Sequence, residues 1–150
     1  WGVHNGYVLH KVFSRLNVLL SAFDKGRELD TLRNQLQVGV MWDTQVTLEN
    51  AKHLVTQVYC SAIPTMGWVS DLWEPFARLV LEAAYEATIC AGILNWIKTG
   101  NNKIYLTRVG GGAFGNKPEW IDDAIERALD RYVEWGLNVS IVNYKGDFYA

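Results

Sequence analysis

From residue 54 onward, strand-like and helix-like segments alternate along the sequence, and this order is the strongest constraint on the fold. The strand-like segments are short and β-branched, whereas the helix-like segments repeat apolar residues every three or four positions. We predict strands over 54–63, 103–109 and 138–144, and helices over 71–98 and 118–135. Helical crossovers of a dozen or more residues favour parallel pairing of strands. The predicted fold class is therefore α/β, with three α/β/α layers around a mostly parallel or mixed sheet.

The N-terminal third of the sequence is patterned less clearly. Apolar residues at helical spacing predict an amphipathic helix from Val8 to Phe23, ended by Lys25-Gly26. The apolar run from Leu36 to Trp42 predicts a strand or the approach to one. Asp43 follows this run, and we interpret it as a turn-forming aspartate between strands.

The length of the chain fits one domain, residues 1–150, because no repeat or linker divides its 150 residues. The chain begins with Trp1 rather than Met, so we expect it to be a fragment or a processed product. A net charge of -2 argues against a nucleic-acid partner, and no apolar run approaches the ~20 residues that a membrane span requires.

The cysteines and the paired glutamates suggest no chemistry. Cys60 and Cys90 lie far apart without metal-ligand spacing, so we expect no metal site and two small buried thiols in a reducing compartment, cytoplasmic or nuclear. Glu82 and Glu86 are four residues apart on a predicted helix, and we interpret them as part of a solvated face.

The motif that carries chemistry is a glycine-rich loop between a predicted strand and a predicted helix. Four glycines fall within six positions, residues 110–115. Glycine lets the backbone approach a ligand closely, and successive amide N–H groups can surround an anion beside the positive end of a helix. Such a loop suits a phosphate or diphosphate, although Asp122 and Asp123 in the following helix compete for the same helix end.

Other readings of this loop were weighed. A Walker loop requires Gly-Lys-Ser/Thr, whereas Gly115 is followed by Asn116-Lys117-Pro118. Residues 110–115 match the dinucleotide spacing G-x-G-x-x-G, but that motif normally opens the first βαβ unit, and here the loop lies in the last one. A tight structural turn remains an alternative, in which Phe114 packs into the core instead of contacting a ligand.

The segment 103–116, with its following helix and closing strand, resembles the C-terminal half of a macrodomain, the ADP-ribose-binding fold. Residues 45–62 and 79–91 are similar to the strand pair and long helix of that family. The resemblance implies a macrodomain-like fold over about residues 8–144. The family's first strands and its Asn-containing first loop are then either missing, or the loop is represented by His4-Asn5-Gly6.

The resemblance also implies the roles of the loop residues. The backbone of the loop would contact the diphosphate, Phe114 would lie against the distal ribose, and Asn116 would take the polar position after the last glycine. Tyr144 ends the last predicted strand, where open α/β sheets bind ligands, so it is a candidate to stack on adenine; the alternative is an exposed tyrosine at the end of the strand. The candidate ligand-binding residues are Gly110, Gly111, Gly112, Ala113, Phe114, Gly115, Asn116 and Tyr144.

The function implied by the resemblance is binding of ADP-ribose or of an ADP-ribosylated protein, without a cofactor. Two activities stay open: hydrolysis of an ADP-ribosyl bond, for which no catalytic residue is identified, and non-catalytic reading of the modification. A third possibility is a structural α/β domain that binds a partner and has a vestigial pocket.

Overall fold

The computed structural model describes residues 2–4, 7–9, 27–65, 70–142 and 148–149. These residues form a mixed α/β structure of seven strands and three α-helices, with a short 3-10 turn at Val133–Trp135. In chain order the elements are β1 (Gly2–His4), β2 (Tyr7–Leu9), α1 (Arg27–Arg33), β3 (Gly39–Gln45), β4 (Leu54–Tyr59), α2 (Ser70–Thr99), β5 (Lys103–Thr107), α3 (Pro118–Arg131), β6 (Asn138–Val142) and β7 (Phe148–Tyr149).

The strands form three small sheets within the described part of the chain. Strands β1 and β2 pair antiparallel, as do β3 and β4. Strands β5 and β6 pair parallel, and β7 adds to β6 in the antiparallel sense. The predicted α/β class and the predicted parallel pairing of β5 with β6 are thus confirmed, whereas no strand ladder joins β4 to β5 among the described residues.

Helix α2 lies at the centre of the structure and contacts both larger sheets. Its 30 residues end at Thr99, and Gly100 follows in the left-handed conformation with a φ of +76°. The Gly100 N–H donates to the Trp96 carbonyl at 2.8 Å and closes the last turn. The core beneath the helix combines residues at four-residue spacing on α2 with the alternate, inward-facing residues of β5 and one face of α3. Its largest members are Leu81, Tyr85, Ile89, Ile104, Leu106, Trp120, Ile121 and Ile125.

Strand β5 approaches α2 unusually closely at one point. A Cβ atom placed on Gly92 would lie 2.2 Å from Cδ1 of Ile104, so only glycine fits at this helix–strand contact. At the other end of β5, the hydroxyl of Tyr85 donates to the Thr107 carbonyl at 2.8 Å. Strand β5 therefore runs antiparallel to α2.

Strand β4 runs in the same direction as β5. Thr56, near its start, donates to Asn95 at 2.8 Å, close to the end of α2. Cys60, just after the strand, lines the same cleft as Thr88, which lies earlier in the helix. Because both strands run antiparallel to α2, their C-terminal ends lie at the same end of the structure.

Helix α1 is held on α2 and α3 by a network of arginines and carboxylates that we call the ionic cluster. It consists of Asp30, Arg33, Glu82, Glu86, Arg127 and Arg131. The interpretation of Glu82 and Glu86 as a solvated face is therefore wrong, because arginines from α1 and α3 cover them. Glu86 is buried, with its side chain 8 % exposed.

Two further predictions differ from the structure, and one helix was not predicted. The helix predicted from Val8 does not begin there, because Val8 and Leu9 belong to strand β2 and pair with β1. The rest of that predicted helix lies outside the described residues. Helix α1 was not predicted at all, since it is only seven residues long and contains just two apolar residues, Leu29 and Leu32.

Asp43 lies inside β3 rather than in a turn after it. The register of β3 against β4 shifts between Met41 and Thr44, and Asp43 has a φ of +54° within this bulge. Its carboxylate pairs with Lys98 in the last turn of α2. The bulge therefore turns Asp43 toward the negative end of the helix, where a lysine is favoured.

Candidate functional site

The glycine loop, residues 110–116, joins β5 to α3 at the C-terminal end of the parallel strand pair. Gly110 and Gly115 adopt φ angles of +82° and +69°, which side chains other than glycine rarely allow. A Cβ atom on Gly110 would also lie 2.5 Å from the Cβ atom of Ala62, just beyond β4. Glycine is thus required at position 110 both by its backbone angle and by the available space.

The loop is closed by hydrogen bonds within its own backbone. The Asn116 N–H donates to the Gly110 carbonyl and the Gly115 N–H to the Gly112 carbonyl, both at 3.0 Å. At the exposed tip, no described residue accepts a hydrogen bond from the N–H of Gly112 or Ala113. These two backbone donors are therefore available to a ligand.

The residues after β4 hold the loop from below. Thr65 donates to the Phe114 carbonyl twice, from its N–H at 2.7 Å and from its hydroxyl at 3.2 Å. The side-chain amide of Asn116 donates to the Ile63 carbonyl at 2.9 Å. This bond ties the loop to the segment after β4. Asn116 is only 3 % exposed, and its Oδ1 has no hydrogen-bond partner among the described residues.

Phe114, the one large side chain in the loop, is half-buried and packs against the core. The aromatic ring therefore supports the loop from inside, as in the alternative in which Phe114 packs into the core. The tip residues Gly111, Gly112 and Ala113 are exposed.

Tyr85 fixes the chain where it enters the loop. Its buried hydroxyl donates to the Thr107 carbonyl and accepts the Val109 N–H at 3.0 Å. Burial raises the pKa of Tyr85 to about 12, so the hydroxyl keeps its proton at neutral pH and can make both bonds. The last residues of β5 are therefore anchored on α2 before the chain turns.

The acids at the start of α3 are neutralised by arginines. Asp122 pairs with Arg108, the residue two positions before the loop. Asp123 pairs with Arg78 of α2 at 2.7 Å. Because each carboxylate has a cationic partner, the competition expected between Asp122, Asp123 and an anion for the positive end of α3 is weakened.

A separate cleft of about 770 Å³ lies between β4, β5 and α2. Its walls are mixed: apolar residues such as Val58 and Ile104 lie beside polar and charged ones, among them Asp43, His53, Thr56, Thr88, Asn95 and Lys103. Residues 110–116 do not line this cleft, which reaches only to Val109. Cys60 lines it, but burial raises the pKa of that thiol and so disfavours the nucleophilic thiolate.

The structure thus brings seven of the eight predicted site residues, 110–116, into one loop, while Tyr144 lies outside the described residues. Sequence reasoning missed Thr65, Tyr85 and Arg108. No local signal marks the first two, because each acts through a contact with a segment distant in sequence. Arg108 could have been noticed as the cation closest to the glycines.

The described residues contain no group of three or more His, Cys, Asp or Glu side chains placed to hold a metal ion. Among the described helices, none has the length and apolarity needed to cross a membrane.

Comparison with known proteins gives no match: no family model, curated protein or solved structure is significantly similar to this chain.

Proposed function

We propose that the glycine loop binds the diphosphate of ADP-ribose and that the chain is a macrodomain-like domain that reads ADP-ribosylated proteins. The observation that carries this proposal is the exposed loop tip, where the N–H groups of Gly112 and Ala113 have no acceptor among the described residues. Adjacent unpaired backbone donors at a strand-to-helix turn form the kind of concavity that binds phosphate groups.

The charge distribution supports an anionic ligand held by local contacts. With a net charge of -2, the chain as a whole does not attract anions. At the loop, however, Arg108 and Lys117 flank the glycines, and the carboxylate of Asp122 is already paired. A diphosphate would therefore meet two amide donors and the positive end of α3, beside Arg108, which pairs with Asp122, and Lys117, whose Nζ lies 5.1 Å from the centre of the Trp120 ring.

We further propose that the strands and helices have the three-layer arrangement of a macrodomain. Strands β4 and β5 run in the same direction on the same face of α2, and the cleft separates them. One additional strand in this position would join the two larger sheets into a single mixed sheet. No strand among the described residues occupies it.

Binding is favoured over hydrolysis. Asp122 and Asp123 are the acids placed early in the helix that follows the loop, and both are paired with arginines instead of being free to activate water. We also place the function in the cytoplasm or nucleus, because Cys60 and Cys90 are both free thiols, as expected in a reducing compartment.

Isothermal titration of the protein with ADP-ribose, beside ADP and NAD, tests the proposal. We expect saturable binding of ADP-ribose that is lost in Gly112→Glu. A Cβ atom on Gly112 meets nothing within 4 Å, so this variant should fold while placing a carboxylate at the loop tip. The absence of both heat and thermal stabilisation at millimolar ADP-ribose would overturn the proposal.

Two control variants make the result specific to the loop. Gly112→Ala adds only a methyl group at the same open position and should keep most of the affinity. Leu48→Glu adds the same charge at a residue that is 76 % exposed, in the β3–β4 connection beyond the other end of β4. If Leu48→Glu weakens binding as much as Gly112→Glu, the effect is general electrostatics and the loop is not the site.

A hydrolysis assay separates a reader from an enzyme. The protein is incubated with an ADP-ribosylated substrate, and free ADP-ribose is measured over time. We expect none above background, and release that is abolished by Gly112→Glu would assign hydrolysis to this loop.

A further inference from the structure

We propose that Arg108 makes the glycine loop selective for a diphosphate, by leaving Asp122 and binding the ligand when it arrives. This inference rests on the proposed function, because it concerns the same loop. It assigns one phosphate to the loop amides and the other to the guanidinium of Arg108.

The position of Arg108 places its side chain beside the loop tip. Its carbonyl accepts the Gly111 N–H at 3.3 Å. A Cβ atom on Gly111 would lie 3.8 Å from the Cβ atom of Arg108. The Arg108 side chain therefore begins next to an exposed glycine of the tip, within reach of a group bound there.

The ion pair that holds Arg108 is open to exchange. The side chains of Arg108 and Asp122 are 39 % and 50 % exposed, and both carry their charges in water-accessible positions. Exposed pairs of this kind contribute little to stability, because water and salt screen them. A guanidinium can bind phosphate through two parallel, charge-assisted hydrogen bonds, which are stronger than neutral ones.

Arg78, the arginine paired with the neighbouring Asp123, is held far more firmly. It also pairs with Glu74 at 2.8 Å, and its guanidinium lies 5.9 Å from the centre of the buried Trp120 ring. Releasing Arg78 would break three contacts at once, whereas releasing Arg108 breaks one ion pair. Of these two arginines, only Arg108 is placed to exchange partners.

The neighbouring acids provide a matched pair of variants for the test. Asp122→Asn and Asp123→Asn each remove one negative charge near the start of α3, but only the first frees Arg108. We expect Asp122→Asn to tighten ADP-ribose binding several-fold more than Asp123→Asn does. In an Arg108→Gln background, the gain from Asp122→Asn should disappear.

Arg108→Gln alone should weaken ADP-ribose binding by about tenfold, the size of a lost charge-assisted hydrogen bond. It should change the affinity for AMP, which carries a single phosphate, much less. Titrations at low and high salt should show a weaker salt dependence for Arg108→Gln than for the unaltered protein. Should Arg108→Gln fail to fold, Arg108→Lys keeps the charge but loses the two-pronged geometry, and an intermediate affinity is expected.

Several outcomes overturn the inference, and they differ from failure of the proposed function. Equal gains from Asp122→Asn and Asp123→Asn that persist without Arg108 would show long-range electrostatics only. Unchanged ADP-ribose affinity in Arg108→Gln, with binding still abolished by Gly112→Glu, overturns the role of Arg108 and leaves the loop as the site. No binding by the unaltered protein overturns both.

Discussion

Helix α3 carries arginine–carboxylate contacts near both of its ends, and the two sets differ in burial. Near its start, Asp122 and Arg108 form an isolated, exposed pair beside the glycine loop. In its second half, Arg127 and Arg131 belong to the ionic cluster, whose members Glu86 and Arg33 have side chains only 8 % and 11 % exposed. The same type of ion pair, an arginine with a carboxylate, is thus exposed near one end of the helix and partly buried near the other.

Shared partners account for this difference as much as burial does. Arg127 pairs with Asp30 at 2.7 Å and with Glu86 at 3.0 Å, and it lies 3.8 Å from Glu82. The contact with Glu86 Oε1 is an ion pair without an aligned hydrogen bond. Removing Arg127 therefore takes one partner from three carboxylates, of which Glu82 and Glu86 are mostly buried, whereas breaking the exposed pair returns two groups to water.

The largest effect on stability is expected when an arginine of the ionic cluster is replaced by glutamine and compared with the same change at the exposed Arg108. Arg127→Gln should lower the free energy of unfolding by about 2 kcal/mol, because three carboxylates each lose one arginine partner and two of them are mostly buried. Arg108→Gln should lower it by less than ~1 kcal/mol, because its partner is exposed. Urea denaturation followed by circular dichroism measures both, and equal losses would remove the distinction between the two sets.

The glycine loop contains one closely packed glycine, Gly110, and one open glycine, Gly112, and replacing each by alanine should have very different effects on stability. Gly110→Ala should cost about 2 kcal/mol, because the new methyl group meets Ala62 and the φ angle of +82° disfavours it. Gly112→Ala, at an open position, should change stability by less than ~0.5 kcal/mol. Thermal and urea unfolding of the two variants provide the measurement. If Gly112→Ala is as damaging as Gly110→Ala, the loop is not held by close packing on the segment after β4.

The smallest effect concerns the pH dependence of the ionic cluster. The hydrogen bond from Arg127, with the further arginines around it, lowers the pKa of Asp30 from 3.8 to about 2, against the opposing effect of burial. The folded protein therefore keeps this carboxylate ionised where the unfolded chain takes up a proton. Its contribution to stability is complete above about pH 4 and is lost as the pH falls toward 2. We expect a contribution of about 1 kcal/mol, since a third of the side chain is exposed to screening.

Unfolding of the unaltered protein and of Asp30→Asn at about pH 6 and about pH 3 measures this contribution. The stability difference between the two proteins should shrink at the lower pH. A difference that stays constant would show that protonation of Asp30 does not contribute in this range.

The elements that sequence reasoning predicted are those whose signal is local. The apolar repeats of α2 and α3 and the β-branched run of β5 give the types of these elements, with ends that differ by a few residues. The glycine loop was also visible, because four glycines between a strand and a helix indicate a special backbone. Gly110 and Gly115 do adopt the left-handed conformation that this pattern predicts.

The contacts that could not be predicted join segments far apart in sequence. Glu82 meets Arg33, 49 residues away, and Asp30 meets Arg127, 97 residues away. A helical repeat shows which residues share a face, but it does not show which element will cover that face. The bulge at Asp43 and the anchoring of the loop by Thr65 were missed for the same reason, since each depends on a contact with another segment of the chain.

The close approach at Gly92 has a consequence for how this sequence can vary. A side chain there would collide with the end of the Ile104 side chain, so either that side chain moves or β5, with the loop that it carries, shifts away from α2. Positions 92 and 104 are therefore coupled genetically: a larger residue at 92 requires a smaller one at 104, such as Ile104→Ala. A selection for the folded protein should recover such second-site suppressors at position 104.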